Sequence, residues 1–164
     1  MPTIILETDI NAPVERCFDL SRSVDLHTIS TAHTGERAVA GVTSGLIGSG
    51  QTVTWRAKHF GVWQHLTSRI TAFDRPHFFA DEMVQGVFRH FRHEHYFQST
   101  GSGTRMTDVF DYASPLGILG KLADSLFLRK YMHSLLLERN RVIQDYAESG
   151  KGDELLNKAR ADGL

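Results

Sequence analysis

The residues best suited to chemistry gather in two short stretches, Phe91-Arg92-His93-Glu94-His95 and Thr104-Arg105-Met106-Thr107-Asp108. Between them lies Thr100-Gly101-Ser102-Gly103, a signal for a two-residue hairpin of type II′ with Gly101 at its first central position. If Thr100 faces Gly103, then Phe97 faces Met106, His95 faces Asp108, His93 faces Phe110 and Phe91 faces Tyr112. All of these share one side of the sheet; Arg92, Glu94, Tyr96 and Gln98 fall on the other, against Asp111, Val109, Thr107 and Arg105. The aromatic side is therefore the expected cavity face. A carboxylate beside a histidine selects the imidazole tautomer and favours its charged form, whereas burial opposes charge. Such a histidine can orient the polar end of a ligand or move a proton at an acidic carbon. The same pair also makes sense as a satisfied structural hydrogen bond that pins strand register.

Two further strands bring candidates to this face. Phe79, Asp81 and Met83 share a parity, and a connection centred near Val87 puts Asp81 opposite His93. Val53, Trp55, Ala57 and His59 alternate in the same way, so Trp55 and His59 are expected to line the cavity. The expected ligand contacts are thus Trp55, His59, Phe79, Asp81, Met83, Phe91, His93, Phe97, Met106, Phe110 and Tyr112. His95 and Asp108 form the candidate catalytic pair, with Asp108 orienting His95. A His-x-His strand also presents two imidazoles to a metal, with Asp108 or Asp81 to complete the set. The carboxylate pairing and the short reach between adjacent strand positions weigh against this, so neither a metal nor another cofactor is expected.

Other features carry less. Gly45, Gly48 and Gly50 make a Gly-rich loop, but no Gly-Lys-Ser/Thr follows, so a phosphate cradle is not indicated. A mobile flap over a cavity mouth, a protein contact or simply a flexible hairpin loop is the expectation there, because Leu46 and Ile47 have little local core to bury in. Cys17 falls on an apolar helical face and reads as core, not as a nucleophile. Arg129, Lys130, Arg139 and Arg141 read as the solvated face of a long helix.

The chain has 164 residues, 41% hydrophobic and 23% charged, which suits one folded domain. Eighteen basic against nineteen acidic residues give a net charge of −1, so no global field draws nucleic acid or anionic lipid. The basic and aromatic residues of Arg89-His90-Phe91-Arg92-His93 split onto opposite sides of a strand, which disfavours a nucleic-acid surface. One cysteine excludes an internal disulfide and fits a reducing compartment. Neither a signal peptide nor an apolar run of about 18 residues is visible, so the expected location is the cytoplasm without a membrane span.

The elements that position these residues follow from periodicity. Thr3 to Ile10 alternates as a strand, Asn11-Ala12-Pro13 stops it, and short helices follow over Val14 to Leu20 and Ser23 to Ile29. Six strands are expected next, over Glu36–Val42, Gln51–Phe60, Val62–Phe73, His77–Gln85, Phe88–Thr100 and Thr104–Ala113. Their short connections require an antiparallel sheet. The longest helix is expected from Leu116 to Ala147, with Leu119, Leu122, Leu126, Met132, Leu135, Leu136, Ile143 and Tyr146 as its apolar stripe. Residues 1–148 form the expected domain; 149–164 reads as a polar, poorly ordered tail with a turn of helix near Glu154 to Lys158. This is an α+β pattern in which one sheet covers its apolar face with the last helix, and such a concave space is the default place for a small molecule.

At this point the chain resembles the helix-grip proteins of the SRPBCC superfamily, which includes START domains, Bet v 1-like proteins and polyketide cyclases. It is most similar to the bacterial ligand-binding SRPBCC proteins of unassigned function. The resemblance runs over about residues 3–147. It rests on Thr54-Trp55-Arg56-Ala57-Lys58-His59-Phe60-Gly61, on Asp81-Glu82-Met83 followed by Gly86, on Phe91-Arg92-His93-Glu94-His95, and on Gly103 to Asp108 leading to Tyr112, Pro115 and Gly117. It implies a seven-stranded antiparallel sheet wrapped around a long C-terminal helix, with two short helices after the first strand. The family lacks a characteristic metal pattern, and its fold hosts carriers, receptors and enzymes.

Three functions stay open on the sequence. The first is binding of a small hydrophobic or amphipathic molecule, as a carrier or sensor. The second is a cyclase- or aromatase-like enzyme using the His95–Asp108 pair. The third is a protein-interaction domain whose cavity is filled by its own side chains. A homodimer through the sheet edge is open as well.

Overall fold

A computed structural model describes residues 2–114 and 127–163. Strand β1 (Thr3–Ile10) ends at Asn11, and Pro13, at φ −60°, leads into helix α1 (Val14–Ser21). Proline is tolerated there because its fixed φ suits a helix start and its missing N–H would have had no partner in the first turn. Helix α2 (Val24–Ser30) starts at Ser23, whose hydroxyl accepts from the Leu26 N–H at 3.1 Å. After a single 3-10 turn at Ala32–Thr34 come β2 (Arg37–Gly41), β3 (Thr52–His59), β4 (Val62–Asp74), β5 (Phe78–Gln85), β6 (His90–Thr100) and β7 (Gly103–Ala113). Helices α3 (Arg129–Ala147) and α4 (Gly150–Asp162) complete the described chain.

The seven strands form one sheet in the order β1-β7-β6-β5-β4-β3-β2, with every neighbouring pair antiparallel. The α+β architecture is the one expected, a seven-stranded antiparallel sheet packed against a C-terminal helix. Two apolar clusters hold it together. In the first, the fully buried Phe18 of α1 meets Phe73, Phe79 and Phe97 edge-on, with centroids 5.3, 5.4 and 5.3 Å away. In the second, Phe91, Phe110 and Tyr112 of β6 and β7 pack with Ile4 and with Leu136 of α3. Each such side chain contributes about 1.5–3 kcal/mol on burial, so α1 and α3 are clamped onto the sheet at separate places.

Several details differ from the sequence expectation. The β6–β7 turn has the two-residue length expected, but Gly101 does not take the positive φ of a type II′ turn. Glycine is required instead at Gly103, at φ +157°, where an added Cβ would stand 2.2 Å from the Ile10 carbonyl oxygen. The register survives because loop length, more than turn type, sets which residues face each other.

The Gly-rich loop is no free flap. Ile47 is buried in the main cluster, its N–H bonds the Arg22 carbonyl at 3.1 Å, and the Gly45 N–H bonds Asp25 at 2.8 Å. Tertiary packing against α1 and α2 supplies the core that Ile47 lacks locally. The segment after residue 148 is also different: thirteen residues form α4, Leu156 is 4% exposed in the main cluster, and Arg16 of α1 pairs with Asp153 at 2.8 Å. Leu119, Leu122 and Leu126, expected on the long helix, lie outside the described residues.

Candidate functional site

Alternation along β6 and β7 places a polar cluster in an otherwise apolar face. Phe91, His93, His95 and Phe97 are buried on β6, as are Met106, Asp108, Phe110 and Tyr112 on β7. His95 faces Asp108, His93 faces Phe110, and Asp81 of β5 faces His93, which is the register that the hairpin and the β5 parity predict.

Asp108, 1% exposed, is the centre of the cluster. Its Oδ1 accepts from Nδ1 of His95 at 2.8 Å and from Nε2 of His93 at 3.0 Å, and Arg139 of α3 approaches the same oxygen at 3.4 Å. Its Oδ2 accepts from the Asn140 amide at 2.7 Å. Burial opposes ionisation of Asp108, but the hydrogen bonds from His93 and His95 and the charge of Arg139 outweigh it and hold the carboxyl well below its ordinary value. Asp81 is lowered in the same manner: burial acts against its charge, and the His95 hydrogen bond with the nearby positive groups prevails.

The two imidazoles have different roles. Burial pushes His93 down to about 4, reinforced by the neighbouring His95, so at neutral pH its ring is uncharged. Its Nε2 must carry the hydrogen that Asp108 accepts, which leaves Nδ1 as an acceptor. His95 stands between two carboxylates, with Nδ1 on Asp108 and Nε2 3.2 Å from Oδ1 of Asp81. Each ring nitrogen of His95 therefore faces a carboxylate oxygen, and a ring nitrogen that carries hydrogen donates to it. Asp81, His93 and His95 also place one potential ligand atom each within 4.8 Å of one another, so they are the described residues able to hold a metal ion.

The cluster opens onto a cavity of about 330 Å³ between the sheet and α3. Of the residues expected to line it, Trp55, His59, Phe79, Asp81, Phe91, His93, His95 and Phe110 do so. Others stand elsewhere. Phe97 and Met106 belong to the cluster around Phe18, Tyr112 and Met83 to the cluster around Phe91, and Asp108 lies behind the histidines. The four apolar side chains share the predicted face but pack into these clusters instead of the cavity wall.

No protein-family model matches this chain, and no curated protein matches it. Solved structures do. The protein TTHA0849 from Thermus thermophilus is 20% identical, with a TM-score of 0.68 over 87% of this chain and 97% of that one. The major latex-like protein 151 from Panax ginseng is 17% identical, with a TM-score of 0.66 over 90% and 98%. The di-domain ARO/CYC StfQ from the steffimycin biosynthetic pathway is 13% identical, with a TM-score of 0.70 over 89% of this chain and half of that one. The chain shares the helix-grip fold of these structures.

In this helix-grip chain, α3 brings residues to the site that sequence analysis did not place there. Arg139, read as solvated, is 7% exposed; its guanidinium bonds the Ser21 carbonyl at 3.0 Å and the Asn140 side chain at 3.2 Å. A signal existed: Leu136, Arg139, Asn140 and Ile143 recur at helical spacing and are the buried stripe of α3. Their polarity hid two of them. His27, Glu36 and Tyr131 also line the helix-grip cavity, near Trp55 and His59, and no periodicity marks them. Among the described residues, no helix is long and apolar enough to cross a membrane.

Proposed function

We propose that this protein binds a small amphipathic molecule in the cavity between the sheet and α3, as a carrier or sensor. The observation that carries this reading is one cavity of about 330 Å³ with apolar walls, including Trp55, Phe79 and Leu136, and with the His93–His95–Asp81–Arg139 cluster on its surface. Apolar walls supply most of the binding free energy, and a few fixed polar groups set orientation. The described side chains leave this space open, which favours this reading over an interaction domain that fills its own cavity. The helix-grip likeness to the ARO/CYC StfQ supports it at the level of the fold.

The test is native mass spectrometry of the freshly purified protein beside its denatured mass. An added small apolar mass that is lost on denaturation is the expected result. A clean unliganded mass, together with no binding of apolar fluorescent probes, would overturn the proposal.

A second reading has its own observation. His95 lines the cavity and is held by Asp108 from behind, the arrangement of an acid whose orientation is set by a positioning carboxylate. In a cyclase- or aromatase-like reaction His95 gives or takes the proton, and Asp108 positions it. Turnover of an identified substrate would then depend on His95, and Asp108→Asn would move the pH profile. Full activity in both variants excludes this role.

A further inference from the structure

A second polar group stands in the same cavity, away from the His93–His95 cluster. On the β3 side, Nε2 of His27 lies 3.2 Å from Oε1 of Glu36, and Nδ1 of His59 lies 2.7 Å from the Tyr131 hydroxyl. All four residues line the cavity. They come from four separate places: α2, the chain just before β2, β3 and α3. The His27 ring lies on Trp55, with centroids 4.2 Å apart, so this pole is continuous with the apolar wall.

The sheet order sets the separation. His93 and His95 are on β6 and His59 is on β3, with β5 and β4 between them. Three spacings of about 4.8 Å put the strands roughly 14 Å apart along the sheet, shortened by curvature and by side chains reaching inward. Each pole offers a carboxylate to the cavity, Asp81 at one and Glu36 at the other. Burial acts to raise Glu36, but the charge and hydrogen bond of His27 and the charge of His59 prevail and hold it below its ordinary value, so it is an anionic acceptor at neutral pH. A ligand that satisfies both poles therefore presents a hydrogen-bond donor at each end.

We propose that His27, Glu36, His59 and Tyr131 form a second polar subsite, and that the cavity takes an elongated, flat apolar molecule bearing a hydroxyl at each end. The inference rests on the ligand-binding reading above and narrows it to a class of ligand. A molecule with one polar end engages only one pole and covers the remaining acceptor capacity of the other carboxylate, already bonded to its own histidine, with apolar surface, which is unfavourable.

The test uses a rigid series: trans-stilbene, 4-hydroxystilbene and 4,4′-dihydroxystilbene, titrated by fluorescence into the wild type and into Glu36→Gln. The expected result is that the second hydroxyl tightens binding to the wild type by about tenfold or more, the effect of one hydrogen bond to a charged acceptor. Glu36→Gln should lose that gain while the 4-hydroxystilbene affinity changes little. Equal affinity of the two hydroxylated probes for the wild type overturns the second subsite alone, as does a Glu36→Gln loss that falls equally on all three. Failure of all three probes to bind overturns the cavity-binding reading and this inference with it.

Discussion

His95 and Asp108 face each other across the β6–β7 ladder, and their side chains meet at 2.8 Å in a site where both are at most 2% exposed. The same oxygen of Asp108 also accepts from His93, so one carboxylate holds two imidazoles at fixed angles.

Removing that carboxylate strands Arg139 and His95 without their shared anion. Asp108→Ala is expected to destabilise the fold by roughly 3–5 kcal/mol, the usual result of breaking a buried ionic network from one side. Urea denaturation measures it. A loss below about 1 kcal/mol would show that Asp108 does not hold the network together.

Stability should fall in acid in two stages. His93 has its folded value lowered to about 4 from 6.5, so the unfolded chain binds its proton first as pH drops. The full stability is present above 6.5 and is lost progressively down to about 4, by roughly 3 kcal/mol at the acid end. Asp81 and Asp108, both lowered from 3.8, add a second loss below that value. His93→Gln keeps a donor but does not titrate, so its urea midpoint should change less between pH 7 and pH 4.5 than that of the wild type. An unchanged slope would remove His93 as the cause.

Trp55 is 8% exposed on the cavity wall and has β-sheet neighbours on both sides. Trp55→Ala should leave the protein folded by circular dichroism while weakening apolar probe binding by about tenfold or more, since an indole buries a large contact area. Retained affinity in the folded variant would move the ligand away from this wall.

Helix α4 is expected to contribute to the same cooperative unit as the sheet. Leu156→Ala should cost about 2–4 kcal/mol, the range for a buried leucine whose neighbours cannot fully collapse. If the variant is as stable as the wild type, 149–164 behaves as the tail that its composition suggests.

The hairpin was legible residue by residue. A period of two and a turn of known length leave few registers, and only one puts Phe91, Phe97, Met106 and Tyr112 together on a buried face. Seven of the eleven expected ligand contacts, and His95 of the candidate catalytic pair, reach the cavity because strand parity puts them on this face. Met83, Phe97, Met106 and Tyr112 share the face but pack into the two apolar clusters instead of lining the cavity, because strand parity sets which way a side chain points and says nothing about what packs on it. Ile47 shows the converse, an apolar residue in a glycine loop whose core comes from distant helices.

The amino-acid sequence by itself determined the antiparallel sheet, the pairing of His95 with Asp108 and of Asp81 with His93, and the face they occupy, since these follow from local periodicity and short loops. Only the tertiary structure decided that Arg139 and Asn140 of α3 close the cluster, and that His27, Glu36, His59 and Tyr131 meet at another part of the cavity. Arg139 lies 31 residues from Asp108 in the chain, and Tyr131 lies 72 from His59. Contacts over such separations depend on how a helix docks on a curved sheet, and docking is set by the summed packing of many side chains that no short pattern encodes.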